Sequence, residues 1–169
     1  MEISLVQSEV MQAWESVERM FAVITFDPKG HIIDANALFL ATMGYEDKGS
    51  VLGSHHRMFC TEAYSASAEY VEFWRKLSSG ERVSGAFRRV RKDGSEIFLY
   101  AEYAPIRDDE GQVIKVLKVA QNISRIAEGM GRQLGINPKL ADRLMSLELK
   151  RDPTALGSAS NAVSPSGAA

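Results

Sequence analysis

Three consecutive stretches with strand patterning, at residues 82–91, 95–106 and 112–123, constrain the fold more than any other part of the chain. Lys92-Asp93-Gly94 joins the first two stretches, and Asp-Gly is a pair favoured in tight β-hairpins. We therefore expect an antiparallel meander. Its central strand carries apolar groups on both faces, so we expect something to pack on each side. The two sets are Ile97, Leu99, Ala101 and Tyr103 on one face, and Phe98, Tyr100, Ala104 and Ile106 on the other.

Upstream of the meander, residues 21–26 and 31–34 predict a further β-hairpin. The turn between them, Asp27-Pro28-Lys29-Gly30, has a proline that presets φ and a glycine that accepts a positive φ. Together with the meander this gives five antiparallel strands. We place the domain boundaries at 21 and 124.

Short helices are predicted between the hairpin and the meander, at about 36–43 and 67–79. Polar capping residues precede each one and a glycine follows each one. Residues 44–66 are predicted to be irregular. The order of elements indicates an α+β fold in which short helices cover one face of a five-stranded antiparallel sheet.

Residues 1–20 form a separate N-terminal segment with apolar residues at every third or fourth position. This spacing predicts an amphipathic helix at 3–20 with a single apolar stripe. The stripe is shorter than the roughly three to four heptads of an isolated coiled coil, so it needs a surface to pack on. The helix either docks on its own domain or pairs with its copy in a second subunit, and the sequence leaves both open. The stripe consists of Ile3, Val6, Val10, Ala13, Val17 and Met20, with Val6, Val10 and Val17 as the candidate dimer or partner contacts.

The C-terminal part changes in character after Ser124. Residues 125–150 predict a short helical extension, in which Asn137-Pro138 is the start signal of a small helix. Residues 151–169 contain 13 of 19 residues from Ala, Gly, Ser and Pro. We expect this last segment to be a disordered tail.

Composition narrows the class of protein. The 169 residues include 20 basic and 22 acidic side chains, a formal net charge of −2, so we expect neither nucleic acid nor an anionic membrane as a partner. The single cysteine, Cys60, suits a reducing compartment, and the N-terminus lacks a secretory signal pattern. We expect a cytoplasmic protein.

A series of short motifs runs through residues 20–124: Asp27-Pro28-Lys29-Gly30, Ile33-Asp34-Ala35-Asn36, Met43-Gly44-Tyr45, Gly53-Ser54-His55-His56-Arg57-Met58-Phe59, Phe87-Arg88-Arg89 with Lys92-Asp93-Gly94, Tyr103-Ala104-Pro105-Ile106, and Val119-Ala120-Gln121-Asn122-Ile123-Ser124. In this order they resemble the PAS domain family, a ligand-sensing and dimerising module of bacterial signalling proteins. The run at 53–60 and the helix containing Trp74 are most similar to PAS domains in front of chemoreceptor signalling domains. The resemblance implies a homodimer that regulates chemotaxis, motility or a cell-cycle kinase pathway.

Two departures from the family pattern bear on signalling. The family usually ends its last strand with Asp-Ile-Thr, whereas this chain has Asn122-Ile123-Ser124. We take Asn122 and Ser124 as the signal relay to the following segment and expect the relay to be weakened. Residues 125–169 contain no recognisable output domain. The resemblance therefore implies a stand-alone regulator that acts in trans on a histidine kinase or a chemoreceptor component.

His55 and His56 are the candidate cofactor-binding residues. Some PAS relatives bind haem through histidine, but a loop histidine bonded to backbone is the alternative. Light-sensing relatives carry an Asn-Cys-Arg-Phe run where this chain has His55-His56-Arg57-Met58, so the flavin nucleophile is missing. We expect Cys60 to be a small buried hydrophobe. The sequence predicts no cofactor, with haem or flavin as the alternative, and no metal site.

A candidate ligand pocket between the helices and the sheet comprises Met43, Phe59, Trp74, Leu99 and Tyr103. These residues form either plain core or a small-molecule pocket in which Trp74 and Tyr103 offer polar groups. The basic residues of the predicted hairpin are expected to lie on a solvated, salt-bridged surface. They are Arg82, Arg88, Arg89, Arg91 and Lys92.

An enzyme is the competing class of protein. The sequence shows no nucleophile beside a base, no paired metal-ligand motif and no phosphate loop. We therefore predict a sensory or regulatory protein rather than a catalyst.

Overall fold

The computed structural model describes residues 4–125. Five strands form one antiparallel sheet in the spatial order β2-β1-β5-β4-β3, which confirms the predicted α+β fold. The meander and the N-terminal hairpin pair through β1 and β5. The elements are α1 (Leu5–Met20), β1 (Ala22–Phe26), β2 (Ile32–Ala35), α2 (Ala37–Met43), α3 (Glu62–Ser65), α4 (Ala68–Ser79), β3 (Val83–Val90), β4 (Glu96–Arg107) and β5 (Val113–Asn122), with short 3-10 turns at Lys48–Ser50 and His56–Phe59.

One face of the sheet, the inner face, carries the core under the short helices. α2 packs on β1, and α4 packs across β3, β4 and β5. The backbone N–H of Lys92 donates to the Met43 carbonyl at 3.0 Å, which fastens the β3–β4 turn to the end of α2. The inner face and its cover share one continuous apolar cluster.

The segment predicted to be irregular, residues 44–66, contains two 3-10 turns and α3. Each begins at a side chain that accepts a backbone N–H: Asp47 from Ser50, His55 from Arg57, and Thr61 from Tyr64. Such short elements depend on single capping residues rather than on apolar periodicity. The absence of periodicity explains why the prediction missed them.

α1 is helical as predicted, and Ser4 starts it with a reciprocal cap to Gln7. None of its residues is buried, and Val6 and Val10 are 69% and 63% exposed. Docking of the stripe on the chain's own domain is therefore wrong for the described residues. The opposite face of the sheet also stays open, since Tyr100 on β4 is 51% exposed.

No helix within residues 4–125 has the length and apolarity needed to cross a bilayer. The predicted C-terminal helical extension at 125–150, apart from Arg125, and the predicted tail at 151–169 lie outside the described residues.

Candidate functional site

His56 is the centre of a buried polar cluster beneath the helices. It starts the second 3-10 turn and is fully buried, with the rings of Phe26, Tyr70 and Phe73 between 5.3 and 5.8 Å from its own. Its Nδ1 lies 3.0 Å from the Tyr70 hydroxyl, and its Nε2 lies 3.2 Å from the Tyr103 hydroxyl. Both ring nitrogens thus have partners inside the core.

The hydrogen bonds around His56 form a directed chain. Arg89 Nη2 donates to the Tyr103 hydroxyl at 3.1 Å, which leaves that hydroxyl to donate to His56 Nε2. A neutral His56 then carries its proton on Nδ1 and donates to the Tyr70 hydroxyl. The chain connects β3, β4, the 3-10 turn and α4 through side chains alone.

Arg89 and Lys118 are the cations of this cluster, and both are buried, at 2% and 1% exposure. The expectation that Arg89 lies on a solvated strand surface is wrong. In β3 it alternates with Arg88, so it faces the core with Phe87, and the Phe87 ring lies 4.8 Å from its guanidinium carbon. Lys118 shares the inner face with Val116 and Ala120. The alternation of side chains along each strand was the sequence signal that both residues face the core, but their charge predicts an exposed position.

Burial sets the protonation of these groups. The pKa of His56 is held well below 6.5, first by burial and then by the charges of Arg89 and Lys118. Burial also lowers the pKa of Lys118 well below its ordinary value, and Arg89 adds to this effect. Burial raises the pKa of Tyr103 to about 12, so its hydroxyl stays protonated and available as a donor. His56 is therefore a neutral link between two tyrosines.

The His55 ring lies at the edge of this cluster, with Nδ1 3.5 Å from the Tyr70 hydroxyl. Its Nε2 lies 2.8 Å from the carbonyl oxygen of Lys29, and its Nδ1 accepts the Arg57 backbone N–H at 3.2 Å. This is the backbone-bonded loop histidine of the alternative interpretation. Its ring also packs against His31 at 5.2 Å, at the surface.

The predicted pocket residues lie together in the core. Met43, Phe59, Leu99 and Tyr103 are fully buried, and Trp74 is half-buried against the cluster. The prediction missed the polar members of the cluster, Tyr70, Arg89 and Lys118. No sequence signal marked Tyr70, because its hydroxyl partner lies 14 residues away in sequence.

The arrangement does not fit an adduct-forming flavin or a histidine-bound haem. Cys60 is buried as predicted, its Sγ is 3.7 Å from His56 Nδ1, and burial raises its thiol pKa. A thiol in that state is a poor nucleophile. An iron ligated by His56 would have to displace a tyrosine from one ring nitrogen. Within residues 4–125, no group of three or more His, Cys, Asp or Glu side chains is arranged to hold a metal ion.

Asn122 and Ser124 connect the end of the sheet to the segment that follows. Ser124 Oγ accepts the backbone N–H of Phe98 on β4 at 3.1 Å, and Asn122 Oδ1 accepts the Ser124 N–H at 3.0 Å. These two hydrogen bonds are made despite the departure from Asp-Ile-Thr, and the role of Asn122 and Ser124 as a signal relay stays a prediction.

The exposed basic residues of the β3–β4 hairpin include two with acidic partners. Arg82 pairs with Glu102 at 3.6 Å, and Arg88 pairs closely with Glu96. This part of the hairpin is the salt-bridged surface that the sequence predicts.

Comparison with known sequences matches this architecture to one family. A family model described as the PAS fold matches residues 32–120. The biofilm dispersion protein BdlA of Pseudomonas aeruginosa is 38% identical over 118 residues, which are 70% of this chain and 28% of BdlA. Phototropin-2 of Oryza sativa subsp. japonica is 29% identical over 126 residues, 74% of this chain and 14% of phototropin-2. The chain thus spans only a minor part of each of these relatives.

Solved structures show the same fold at low sequence identity. A light-oxygen-voltage domain whose mechanism was studied with a flavin analogue aligns with a TM-score of 0.59 and 22% identity, over 85% of this chain and 96% of that chain. The PAS domain of a protein from Colwellia psychrerythraea aligns with a TM-score of 0.59 and 21% identity, over 69% and 98% of the two chains.

Proposed function

Because the chain belongs to the PAS family, as the match over residues 32–120 shows, we propose that it regulates bacterial signal transduction in trans, through protein–protein contact. In this proposal it is a cytoplasmic homodimer without catalytic activity. Its partner is a signalling protein such as a histidine kinase or a chemoreceptor component, in a chemotaxis, motility or cell-cycle kinase pathway.

The exposed stripe of α1 is the observation that carries this proposal. Val6, Val10 and Met20 are each more than 60% exposed, and Val17 on the same stripe is only half-buried. Burying apolar surface contributes about 25 cal/mol per Å², so four such side chains on a matching surface favour association by several kcal/mol. The same stripe on a second copy is a matching surface, because the two heptad seams are identical.

Two hydrogen-bonded junctions join the sheet to the segments that flank it, one at the end of α1 and one after β5. The Asn36 side chain joins the end of α1 to β1 and α2, and Ser124 joins β4 to the end of β5. A ligand or partner that binds one arrangement of these junctions more tightly shifts the population towards it. In our proposal, this shift changes how α1 and the segment after Asn122 meet a partner.

The test is the mass of the protein in solution, measured by light scattering. Val10→Glu combined with Val17→Glu places two charges on the stripe and should convert a dimer into a monomer. Gln12→Glu combined with Arg19→Gln is the matched control, because it makes the same change in net charge on the polar side of α1 and should keep the dimer. An unchanged mass for the stripe variant would remove α1 from the interface.

A haem- or flavin-dependent redox or gas sensor is the second candidate. The likeness to a light-oxygen-voltage domain studied with a flavin analogue supports flavin alone, and with the buried Cys60 thiol such a flavin would be held without a cysteine adduct. An absorption spectrum of the freshly purified protein separates the two. We expect no absorption band at wavelengths longer than those at which the Trp and Tyr side chains absorb. A Soret band or a flavin doublet would make the cofactor sensor the correct function.

A further inference from the structure

The sheet has two edges, and the chain itself covers part of one of them. At β2, Ile32 exchanges two backbone hydrogen bonds with the loop before His55. Its N–H donates to the Ser54 carbonyl and its carbonyl accepts the Gly53 N–H, both at 2.9 Å. β3 lies at the other edge, and β4 is its only neighbour in the sheet formed by residues 4–125. An edge strand with free backbone groups is a template for pairing with another chain.

The backbone groups of β3 alternate between β4 and the open edge. In the turn after β3, the Arg91 N–H donates to the Ser95 carbonyl at 2.8 Å, whereas the Lys92 N–H donates away from β4, to the Met43 carbonyl at 3.0 Å. Because antiparallel strands keep this alternation, the even-numbered residues of β3 direct their N–H and carbonyl groups to the open edge. None of these four N–H groups has an acceptor within residues 4–125; they belong to Ser84, Ala86, Arg88 and Val90.

Basic side chains lie along this edge on the face opposite the core. Arg82 and Arg88 are exposed there, both at even-numbered positions. Their acidic partners, Glu102 and Glu96, belong to β4 and so lie one strand further from the edge. No acidic residue lies between Val83 and Val90. An added strand therefore meets positive charge on this face, and a second copy of β3 would bring more of it.

Apolar side chains lie at the same edge on the inner face. Val83 and Phe87 are half-buried there and pack against the core cluster. An added strand directs its side chains alternately to the two faces. Its residues on the inner face would cover what remains exposed of Val83 and Phe87, and its residues on the other face would lie beside Arg82 and Arg88. The strand that fits this edge carries apolar and acidic residues in alternation.

We propose that the free edge of β3 binds an extended segment of a partner protein in which acidic and apolar residues alternate, so that the segment adds a sixth strand to the sheet. Backbone hydrogen bonds to the even-numbered residues of β3 supply affinity, and the alternation of side chains supplies selectivity. The inference gives a contact surface for the regulation in trans proposed above, and it rests on that proposal for its biological meaning.

The probe is a capped, dye-labelled peptide of four Glu-Val repeats, and its binding to the full chain is measured by fluorescence anisotropy. It should bind more tightly than four Lys-Val repeats, which invert the charge. It should also bind more tightly than four Glu followed by four Val, which keep the composition but lose the alternation. Added salt should weaken its binding, because the basic residues are exposed. Equal binding of the three peptides would overturn the proposal.

Two substitutions separate the backbone contribution from that of charge. Ala86→Pro removes an N–H at the free edge but no bond between β3 and β4, and should weaken binding of the Glu-Val peptide about tenfold. Ala86→Ser keeps this N–H and is the matched control. Arg88→Gln should weaken binding about threefold, whereas Lys115→Gln, which removes an exposed cation from β5, should leave it unchanged. Wild-type affinity in a folded Ala86→Pro protein would contradict strand addition.

Hydrogen exchange of the wild type tests the edge without any variant. In the free protein, the amides of the even-numbered residues of β3 should exchange faster than those of Gly85, Phe87 and Arg89, which bond to β4. The Glu-Val peptide should slow the even-numbered set. If that set is already protected in the free protein, the edge is covered and the proposal is wrong. The mass measurement on α1 is independent of these results, so failure of the β3 edge and failure of the proposed function are distinguishable.

Discussion

Asn36 donates its side-chain amide to the backbone carbonyl of Glu18, in the last turn of α1, at 2.9 Å. The same Nδ2 also donates to the Phe21 carbonyl, and Oδ1 accepts the N–H groups of Val23 and Phe39. One side chain therefore fixes the end of an otherwise unburied helix to the start of the sheet and to α2. The angle at which α1 leaves the sheet therefore depends on Asn36.

Two substitutions of Asn36 should weaken this junction to different extents. Asn36→Ala loses four hydrogen bonds, one of which caps α2, and should lower the free energy of unfolding by about 3 kcal/mol. Asn36→Asp keeps the acceptor but cannot donate to Glu18 or Phe21 when ionised, and should lose less. Urea unfolding gives both values. An Asp variant as stable as the wild type would show that the two donor bonds do not hold α1.

Gly30 should tolerate no side chain. It adopts φ +93°, and a Cβ there would lie 2.8 Å from His55 Nε2 and 2.9 Å from the Trp74 ring. Gly94 also has a positive φ, +82°, but a Cβ there meets nothing within 4 Å. Gly30→Ala should therefore destabilise the domain by about 1 to 3 kcal/mol more than Gly94→Ala, because both have backbone strain but only Gly30 has the clash. Equal losses in thermal unfolding would contradict the packing of His55 and Trp74 on this turn.

Stability should fall as the pH drops below 6.5. The pKa of buried His56 is lowered in the folded state, so below the unfolded value of about 6.5 the unfolded chain binds more protons. A neutral buried His56 thus contributes stability above this pH and loses it as the pH falls. Because of His56, the free energy of unfolding should fall by up to about 1.4 kcal/mol for each unit by which the pH is lowered.

The contribution of His56 can be separated by substitution. His56→Phe keeps a ring in the core and should flatten the slope of unfolding free energy between pH 5 and 7, on the scale of about one titrating group. The smaller contribution of His55, whose pKa burial also lowers, remains in that variant. Slopes that are the same in both proteins would mean that His56 is not held neutral.

Asn122→Asp restores the residue usual in the family at the relay. The Oδ1 of Asn122 accepts the Ser124 N–H at 3.0 Å, and a carboxylate there makes a charge-assisted bond. Because the site is exposed, the gain should be modest, about 0.5 kcal/mol in urea unfolding, and should disappear when the carboxylate is protonated at low pH.

Ser124→Ala, which removes the bond to Phe98, should lower stability by about 1 kcal/mol. A gain of stability in the alanine variant would contradict the relay geometry.

Local chemistry made the sheet predictable from sequence. The Asp-Gly pair at 93–94 and the glycine at 30 fix two turns, and strand alternation then fixes the faces, so each predicted strand end lies within one residue of the observed one. The polar cluster was not predictable in the same way. For Arg89 and Lys118, the alternation of the strand predicts a buried side chain, whereas the charge predicts an exposed one. Only the folded environment, with Tyr103 and the surrounding rings, determines that both are buried.

Pairing of α1 with a second copy is tested most directly by disulfide cross-linking. Cys60→Ser removes the only native thiol, after which Val10→Cys places a thiol on the stripe and Gln12→Cys places one on the polar side of the same helix. Under mild oxidation, the Val10→Cys protein should run as a covalent dimer on non-reducing electrophoresis and the Gln12→Cys protein as a monomer. Equal cross-linking at both positions, or none at Val10→Cys at concentrations where the intact protein is dimeric, would contradict the account.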